Sequence, residues 1–523
     1  MKLLHVAWID PEDRAGRGGG VRVYLRALVA AQRACPGVQV TTLGAGLRHD
    51  LRRTPPRWQR MRAGHYEIVN SACLAPSQAG FASPAQISDA ATEAALADFL
   101  RLTGPYDVVH FHALEGLPAQ ALALRAQFPQ TRFVLSLHNY HAFCPQVNLW
   151  WREQASCTDD HGGRACATCL PVTPQESMIR RVYQIETALT RFGTGPGSWA
   201  YRALWRPLLQ AGWRLRKALR RPLVPPHASQ SGVPPALRTR RKQIVALINT
   251  HCDAVLAVSE RTRALALAFG LREVTTCRIG TDHAPRWQET RPRALPSAVT
   301  PARPLRLAYL GYMRRDKGFD FLMAALAALP PEQAACLHLT VAAKRGSAEM
   351  MAQMGALRPR LAGLDWQDGY ARNDLDHLLA GVDCGIVPPL WEDNLPQVAL
   401  ELHCRHIPLL TSDRGGAQEL GGSSDLTFRA GDIASLYALM ARLLAGQVDL
   451  RTYWDKAHVP QDTASHAQDL ITLYRGLHES LDPYRHPEIR HILDPDLSRA
   501  QPGGAGGSRA ALCAVQPGIR QPV

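Results

Sequence analysis

Lysine is scarce in this chain. Six residues (Lys2, Lys217, Lys242, Lys317, Lys344 and Lys456) stand among 60 basic positions, the remainder being arginine. So general a bias follows genome base composition and carries no functional weight. No apolar run approaches the ~18 residues of a membrane-spanning helix. The apolar start, Met1 to Ile9, is shorter than the hydrophobic core of a secretory signal, so neither a membrane span nor export by that route is predicted. Twelve cysteines in 523 residues are too few for a disulfide scaffold. With no export signal read, reduced thiols and a cytoplasmic location are the expectation. The glycine cluster near the start does not spell G-x-G-x-x-G, and no Lys-Ser/Thr follows it, so neither the dinucleotide fingerprint nor the Walker loop is met.

What is present is an ordinary globular balance, 46% hydrophobic and 20% charged, which argues against disorder or a fibrous repeat. The length favours two or three domains. A net charge of +15 suggests a polyanionic neighbour: nucleic acid, an acidic membrane surface or phosphorylated substrates. Lys2 to Asp10 reads as a strand, the glycines at 16 and 18–20 as a loop, and Val21 to Ala34 as a helix. Tyr106 to His112, Leu117 to Gln127 and Arg132 to His138 continue a βαβ alternation, as do Ala254 to Ser259 and Arg261 to Phe269. A Pro- and Ala-rich stretch then reads as a linker, and the alternation restarts at Leu305. The expected organisation is an α/β fold. It has a first Rossmann-like domain over 1–285, with an irregular cysteine-containing loop (139–170) and a basic helical insertion (175–245). A linker (286–304), a second Rossmann-like domain (305–480) and a disordered tail (483–523) follow.

Gly18-Gly19-Gly20 lies between the first strand and helix, where bare backbone can approach a phosphate and free N–H groups point outward; a plain flexible turn fits equally. Gly311 to Gly318 brings Arg314, Arg315 and Lys317 onto a loop before a helix, which suits a nucleotide diphosphate. Glu392 and Asp393 fall at the end of a strand, where open α/β sheets bind ligands, and Glu401 lies eight residues beyond Asp393 in the next helix. Acceptors so placed can hold sugar hydroxyls and a ribose, or cap the helix.

These motifs, with His110-Phe-His112, Leu137-His138-Asn139, Val258-Ser259, Gly280-Thr-Asp282, Gly369-Tyr370 and Gly415-Gly416 to Glu419, resemble the retaining nucleotide-sugar glycosyltransferases of family 4, over about Lys2 to Leu477. The resemblance implies the GT-B architecture, two Rossmann-like domains facing a cleft. It implies that Gly19, Gly20, Gly415 and Gly416 border the donor. Lys317, aided by Arg314 or Arg315, would neutralise the diphosphate leaving group. His138 would face the sugar, Asp393 would accept from its hydroxyls, and Glu401 from the ribose. Two departures stand out: Asp393 begins the E-x7-E signature in place of Glu, and Tyr312 occupies the place of an arginine.

The reaction expected is sugar transfer from a nucleotide-diphosphate-sugar donor to a saccharide or lipid-linked saccharide, with retention, in cell-surface polysaccharide or glycolipid synthesis. No cofactor is expected for catalysis. The D-x-D letters occur at Asp374-Leu-Asp376, read as a helix cap, and at Asp494-Pro-Asp496 in the tail. A non-catalytic GT-B-like subunit, and an epimerase or phosphorylase on the same fold, are the alternatives. Cys144, Cys157, Cys166 and Cys169 could bind a structural zinc or stand as free thiols or a redox pair. Arginines and tryptophans between Arg180 and Arg221 suit a helix on an anionic membrane, which would place the protein on the inner face of the plasma membrane; ordinary solvated helices suit them as well. Nucleic acid is not the expected partner, because it leaves the Asp393 to Glu419 pattern unexplained.

Overall fold

The computed structural model describes residues 1–52, 54–169, 176–209, 211 and 233–479. The expected tail, Asp494-Pro-Asp496 and the stretch carrying Trp213, Arg214, Arg216, Lys217, Arg220 and Arg221 lie outside the described residues.

Strand Lys2–Ala7 is buried from Leu3 onward, as an apolar run with helices on both faces must be. It sits near the middle of an eight-stranded sheet. On one side lie Val108–Phe111, Arg132–Leu137, Ala254–Ala257 and Thr275–Thr276, all parallel. On the other lie Gln39–Ala45 and His65–Val69, with Arg57–Arg62 closing that edge antiparallel. The second sheet has six parallel strands, with Leu305–Tyr312 between Leu337–Lys344 and Cys384–Val387. Gly363–Gln367 lies outside the former; Leu409–Ser412 and Thr427–Phe428 lie outside the latter. That is the doubly wound order in which ligands bind beyond the carboxyl ends of the strands where the order reverses. Here the reversal falls between Leu305–Tyr312 and Cys384–Val387.

Several expectations change. Strands Gln39–Ala45, Arg57–Arg62 and His65–Val69 and helix Ala90–Thr103 fill the interval between the first two βαβ signals. Their strands are rich in Thr, Arg and Gln, and offer no apolar run. The segment read as helix at 117–127 is 3-10 helix over Ala119–Gln127. The stretch read as a linker is anchored: Trp287 stacks on His406 with ring centroids 3.8 Å apart, and Arg293 donates to the Leu379 and Val382 carbonyls. Helix Thr463–Glu479, within the 305–480 range expected for the second domain, lies against helix Gly19–Ala34 of the first. Tyr24 and His466 join the two at 2.8 Å, and Tyr474 reaches His110 at 2.6 Å. One apolar cluster consequently runs through both halves, from Leu3 and Leu28 to Leu310, Val387, Leu400 and Ile471.

The basic insertion divides in two. In helix Glu176–Arg191, Arg180 donates to the Ser71 and Ala72 carbonyls and Arg191 pairs with Asp50, so these cations serve the first domain. Helix Pro235–His251 belongs to the core, burying Ile244, Val245 and Ile248. Between them Phe192, Trp199, Leu204 and Leu208 are exposed.

Candidate active site between the two domains

The carboxyl ends of both sheets meet across a cavity of about 320 Å³, bordered by Gly20, Tyr24 and His138 from the first domain and by Lys317, Trp391 and Asp393 from the second. It opens into a neighbouring cavity bordered by Gly19, Tyr312, Lys344, Tyr370 and Glu401.

Helix Gly19–Ala34 begins this construction. Gly18, with φ of 81°, turns the chain in the left-handed region, and the first helical turn has no acidic residue. Its free N–H groups therefore retain their positive end. A Cβ on Gly20 would lie 3.0 Å from Gln397 Cγ, so glycine lets the two domains approach here.

In the second domain, Gly311 and Gly318 (φ 119° and 74°) bracket the loop that carries Lys317. A Cβ on Gly318 would drive into the Pro388 carbonyl, which fixes this loop against the one leaving the fourth strand. Lys317 Nζ donates to Asp393 Oδ2 at 2.6 Å and lies 4.9 Å from the Trp391 ring centroid. Trp391 Nε1 and Asn394 Oδ1 are buried, without hydrogen-bond partners, on residues that border the cavity. The motif did not single out either one, since an unmet donor or acceptor is visible only in three dimensions.

Glu401 accepts from the Tyr370 hydroxyl at 2.6 Å, and burial raises its pKa above the ordinary carboxyl value. His138 is the end of a chain of imidazoles. Its Nε2 meets His112 Nδ1 at 3.0 Å, His112 Nε2 meets His5 Nδ1 at 2.8 Å, and His5 Nε2 meets Gln32 Oε1 at 2.6 Å. Burial lowers the pKa of His138 to about 3 and that of His5 to about 4, so this chain is neutral. Because a neutral imidazole donates at one nitrogen and accepts at the other, the orientation of Gln32 sets the tautomer at His138. The ligand atoms of His5, His110 and His112 lie within 4.8 Å of one another, the spacing of a metal site. Yet each of their six nitrogens already has a partner, with Tyr474 and Ser136 serving His110.

Other expected residues stand apart. Arg314 folds back on Asp316 at 2.6 Å, and Arg315 lies over Trp150 and near Glu153 at 3.5 Å. Neither borders the two cavities, because exposed guanidiniums found carboxylates on nearby loops instead. Gly415 and Gly416 are likewise outside the cavities. Their missing side chains let them pack on the Asp393 and Asn394 backbone, and Gly415 N–H donates to Glu392 at 3.0 Å. Glu392 is buried against Arg261 of the first domain at 2.6 and 3.0 Å. Glu419 accepts from the N–H groups of Glu260 and Arg261, at 2.9 and 2.6 Å. Both acids clamp the domains together, and neither borders the two cavities described above. Asp374, expected to cap a helix, accepts from the Ala371 N–H at the 3-10 turn before it.

Residues 304–446 match the family model described as Glycosyl transferases group 1. The fold is similar to that of sucrose-phosphate synthase from Thermosynechococcus elongatus, at 16% identity and a TM-score of 0.51, covering 91% of this chain and 98% of that one. It is similar also to an α,α-trehalose-phosphate synthase (UDP-forming) from Burkholderia vietnamiensis, at 14% identity and a TM-score of 0.50, covering 92% and 98%. No curated protein matches the sequence. Two doubly wound domains around one cleft, with a group 1 glycosyltransferase domain over 304–446, make this chain a glycosyltransferase-type enzyme of GT-B architecture.

Proposed function

We propose that the protein transfers a sugar from a nucleotide-diphosphate-sugar donor to a saccharide or lipid-linked saccharide acceptor, with retention. The observation that carries this reading is the Lys317–Asp393 pair at the reversal of the second sheet, facing His138 and Gly20 across one cavity. Lys317 offsets the charge that develops on the diphosphate as the bond from the sugar carbon to the phosphate oxygen breaks. Asp393, Trp391 Nε1 and Asn394 Oδ1 hold sugar hydroxyls, and His138 meets the sugar from the other side. Glu401 accepts from the ribose in the adjoining cavity. Gly19 and Gly20 let the donor approach the helix amino end. Arg314 and Arg315 reach the diphosphate only by exchanging their present carboxylate partners.

A neighbour in fold is named as UDP-forming, which makes UDP the first nucleotide to test. The lipid-linked acceptor, and a role in cell-surface polysaccharide or glycolipid synthesis, rest on the exposed Phe192, Trp199, Leu204 and Leu208, with Arg202 and Arg206 exposed among them. Aromatic and aliphatic side chains interleaved with cations suit an anionic membrane face.

The test is thermal stabilisation by UDP, GDP and ADP, each with and without a divalent ion, repeated for Glu401→Ala. Binding to the native state raises the melting temperature by mass action. One nucleotide should stabilise the protein independently of metal and fail to do so in the variant. Absence of any shift would favour the non-catalytic subunit.

A further inference from the structure

The irregular loop after His138 brings four cysteines from separate positions to one place. Cys144, Cys157, Cys166 and Cys169 all border a single small cavity of about 10 Å³, room for one atom-sized occupant. Their spacing places one ligand in the turn after strand Arg132–Leu137, one after a short hairpin (Trp150–Trp151 with Ala155–Ser156), and a C-x2-C pair around helix Arg164–Ala167. All four are unpaired thiols, and Cys144 and Cys169 are buried.

Two further observations show surroundings that suit an anionic centre at these sulfurs. Cys169 Sγ receives a hydrogen bond from Gln146 Nε2 at 2.8 Å and one from the Arg152 backbone N–H at 3.4 Å. Donors converging on sulfur favour the thiolate and orient metal-bound thiolates. Two arginines also stand at the cluster. Arg241 borders the cavity, and its Nη2 is buried without a partner. Arg240 is 3% exposed, meets only neutral acceptors at Gln86 and the His141 carbonyl, and leaves Nη1 unpartnered. A buried guanidinium with no anion is costly. Asp160 lies 3.6 Å from Arg241, and the buried Glu115 acts on Arg240 from a longer distance without bonding it. Four neutral thiols, or two disulfides, would leave Arg240 without an anion in direct contact.

We propose that Cys144, Cys157, Cys166 and Cys169 bind one structural zinc ion as tetrahedral thiolates. Binding displaces four protons to solvent and needs no oxidant. The resulting centre carries two negative charges, which face Arg240 and Arg241. The sulfurs stand wider apart than the histidine nitrogens of the interior, and bonds of about 2.3 Å to zinc draw them inward. The consequence reaches the cleft. Val147, Leu149, Arg152, Glu153 and His161 hold positive φ in this loop, an unfavourable backbone that needs an anchor. Val147 and Asn139 border the cavity between the domains, and Trp150 and Glu153 meet Arg315 of the second domain. Zinc thereby fixes the acceptor-side wall.

The experiment is metal analysis of the untagged full-length protein, prepared without chelator, beside Cys166→Ser/Cys169→Ser and a control, Cys252→Ser/Cys336→Ser. One zinc per chain is expected in the parent and the control, and none in the first variant. Mercurial titration of the parent should release zinc as four thiols react. A zinc-free parent whose loop thiols react freely, a disulfide seen as a two-hydrogen mass loss, or zinc retained by the loop variant would each overturn the assignment. Should that variant not fold, cobalt substituted into the parent decides. Intense visible bands of tetrahedral thiolate coordination support the site, and their absence refutes it.

Discussion

Lys317 Nζ and Asp393 Oδ2 lie 2.6 Å apart at the point where the second sheet reverses its strand order. The two residues come from loops 76 positions apart in sequence, brought together because Gly318 allows close approach to Pro388. Each is the other's partner, so a diphosphate must compete with Asp393 for the ammonium. The pair holds both side chains at the cavity edge.

Replacing either member should leave the fold intact and lower turnover. Lys317→Met removes the cation facing the leaving group, and Asp393→Asn removes the carboxylate. Each is expected to lower kcat by about 100-fold or more, the scale for losing one preorganised charge partner. Melting temperatures should also fall, since Asp393 is buried and either change leaves its partner unpaired. Steady-state kinetics with the nucleotide sugar found by the thermal screen, alongside calorimetric unfolding, checks this. Undiminished turnover in either variant would remove that residue from the reaction.

The adjacent acid should behave in the opposite way. Glu392 is buried, accepts two hydrogen bonds from Arg261 and one from Gly415 N–H, and lies outside the two cavities between the domains. Glu392→Ala leaves Arg261 without its partner at the domain interface. A loss of about 3 kcal/mol in unfolding free energy is expected, the scale for breaking a buried ion pair. Urea unfolding measures it. Nucleotide binding by the folded fraction should persist, which separates Glu392 from Asp393 although they are neighbours.

Acid should destabilise the protein well above the carboxylate range. Burial lowers the pKa of His138 to about 3 and those of His5, His403, His458 and His466 to about 4. Their unfolded values lie near 6.5, so between about pH 6.5 and 4 the unfolded chain binds protons that the folded chain refuses. Stability is then complete above pH 6.5 and falls as pH drops, with a slope approaching ~1.4 kcal/mol per pH unit for each such imidazole. Raised values at Glu115, Glu401 and Glu419 act in the opposite sense, their contribution being lost as pH rises. Melting temperatures from pH 8 to 5 test the balance. A flat profile over that interval would show that the imidazoles titrate normally.

Much of the site was legible as sequence. Lys317, Asp393 and Glu401 follow strands or enter helices of an α/β alternation, and such positions reach the carboxyl edge whatever the surrounding packing. His138 follows from the resemblance alone, and no local pattern signals the imidazole chain behind it. Its members come from three parallel strands whose register, His5 opposite His110 and His110 opposite Val134, exists only once the sheet has formed. Arg314 and Arg315 suit a phosphate on sequence grounds because they share a loop with Lys317. A long exposed side chain takes the nearest carboxylate, and sequence does not reveal where that carboxylate lies.

The sequence by itself determined the two α/β halves, through apolar runs that must be buried on both faces, and the glycine positions where backbone has to come close. It also determined the residue types available for a diphosphate and for sugar hydroxyls. Only the tertiary structure decided which acids face the cleft and which clamp the domains, as at Asp393 and Glu392. It alone returned helix Thr463–Glu479 to the first domain and gathered four dispersed cysteines at one cavity. The physical reason is the same in each case. Local pattern fixes which way a strand or helix turns its apolar face, whereas charge partners and ligand shells depend on contacts between segments tens to hundreds of residues apart, which no local pattern records.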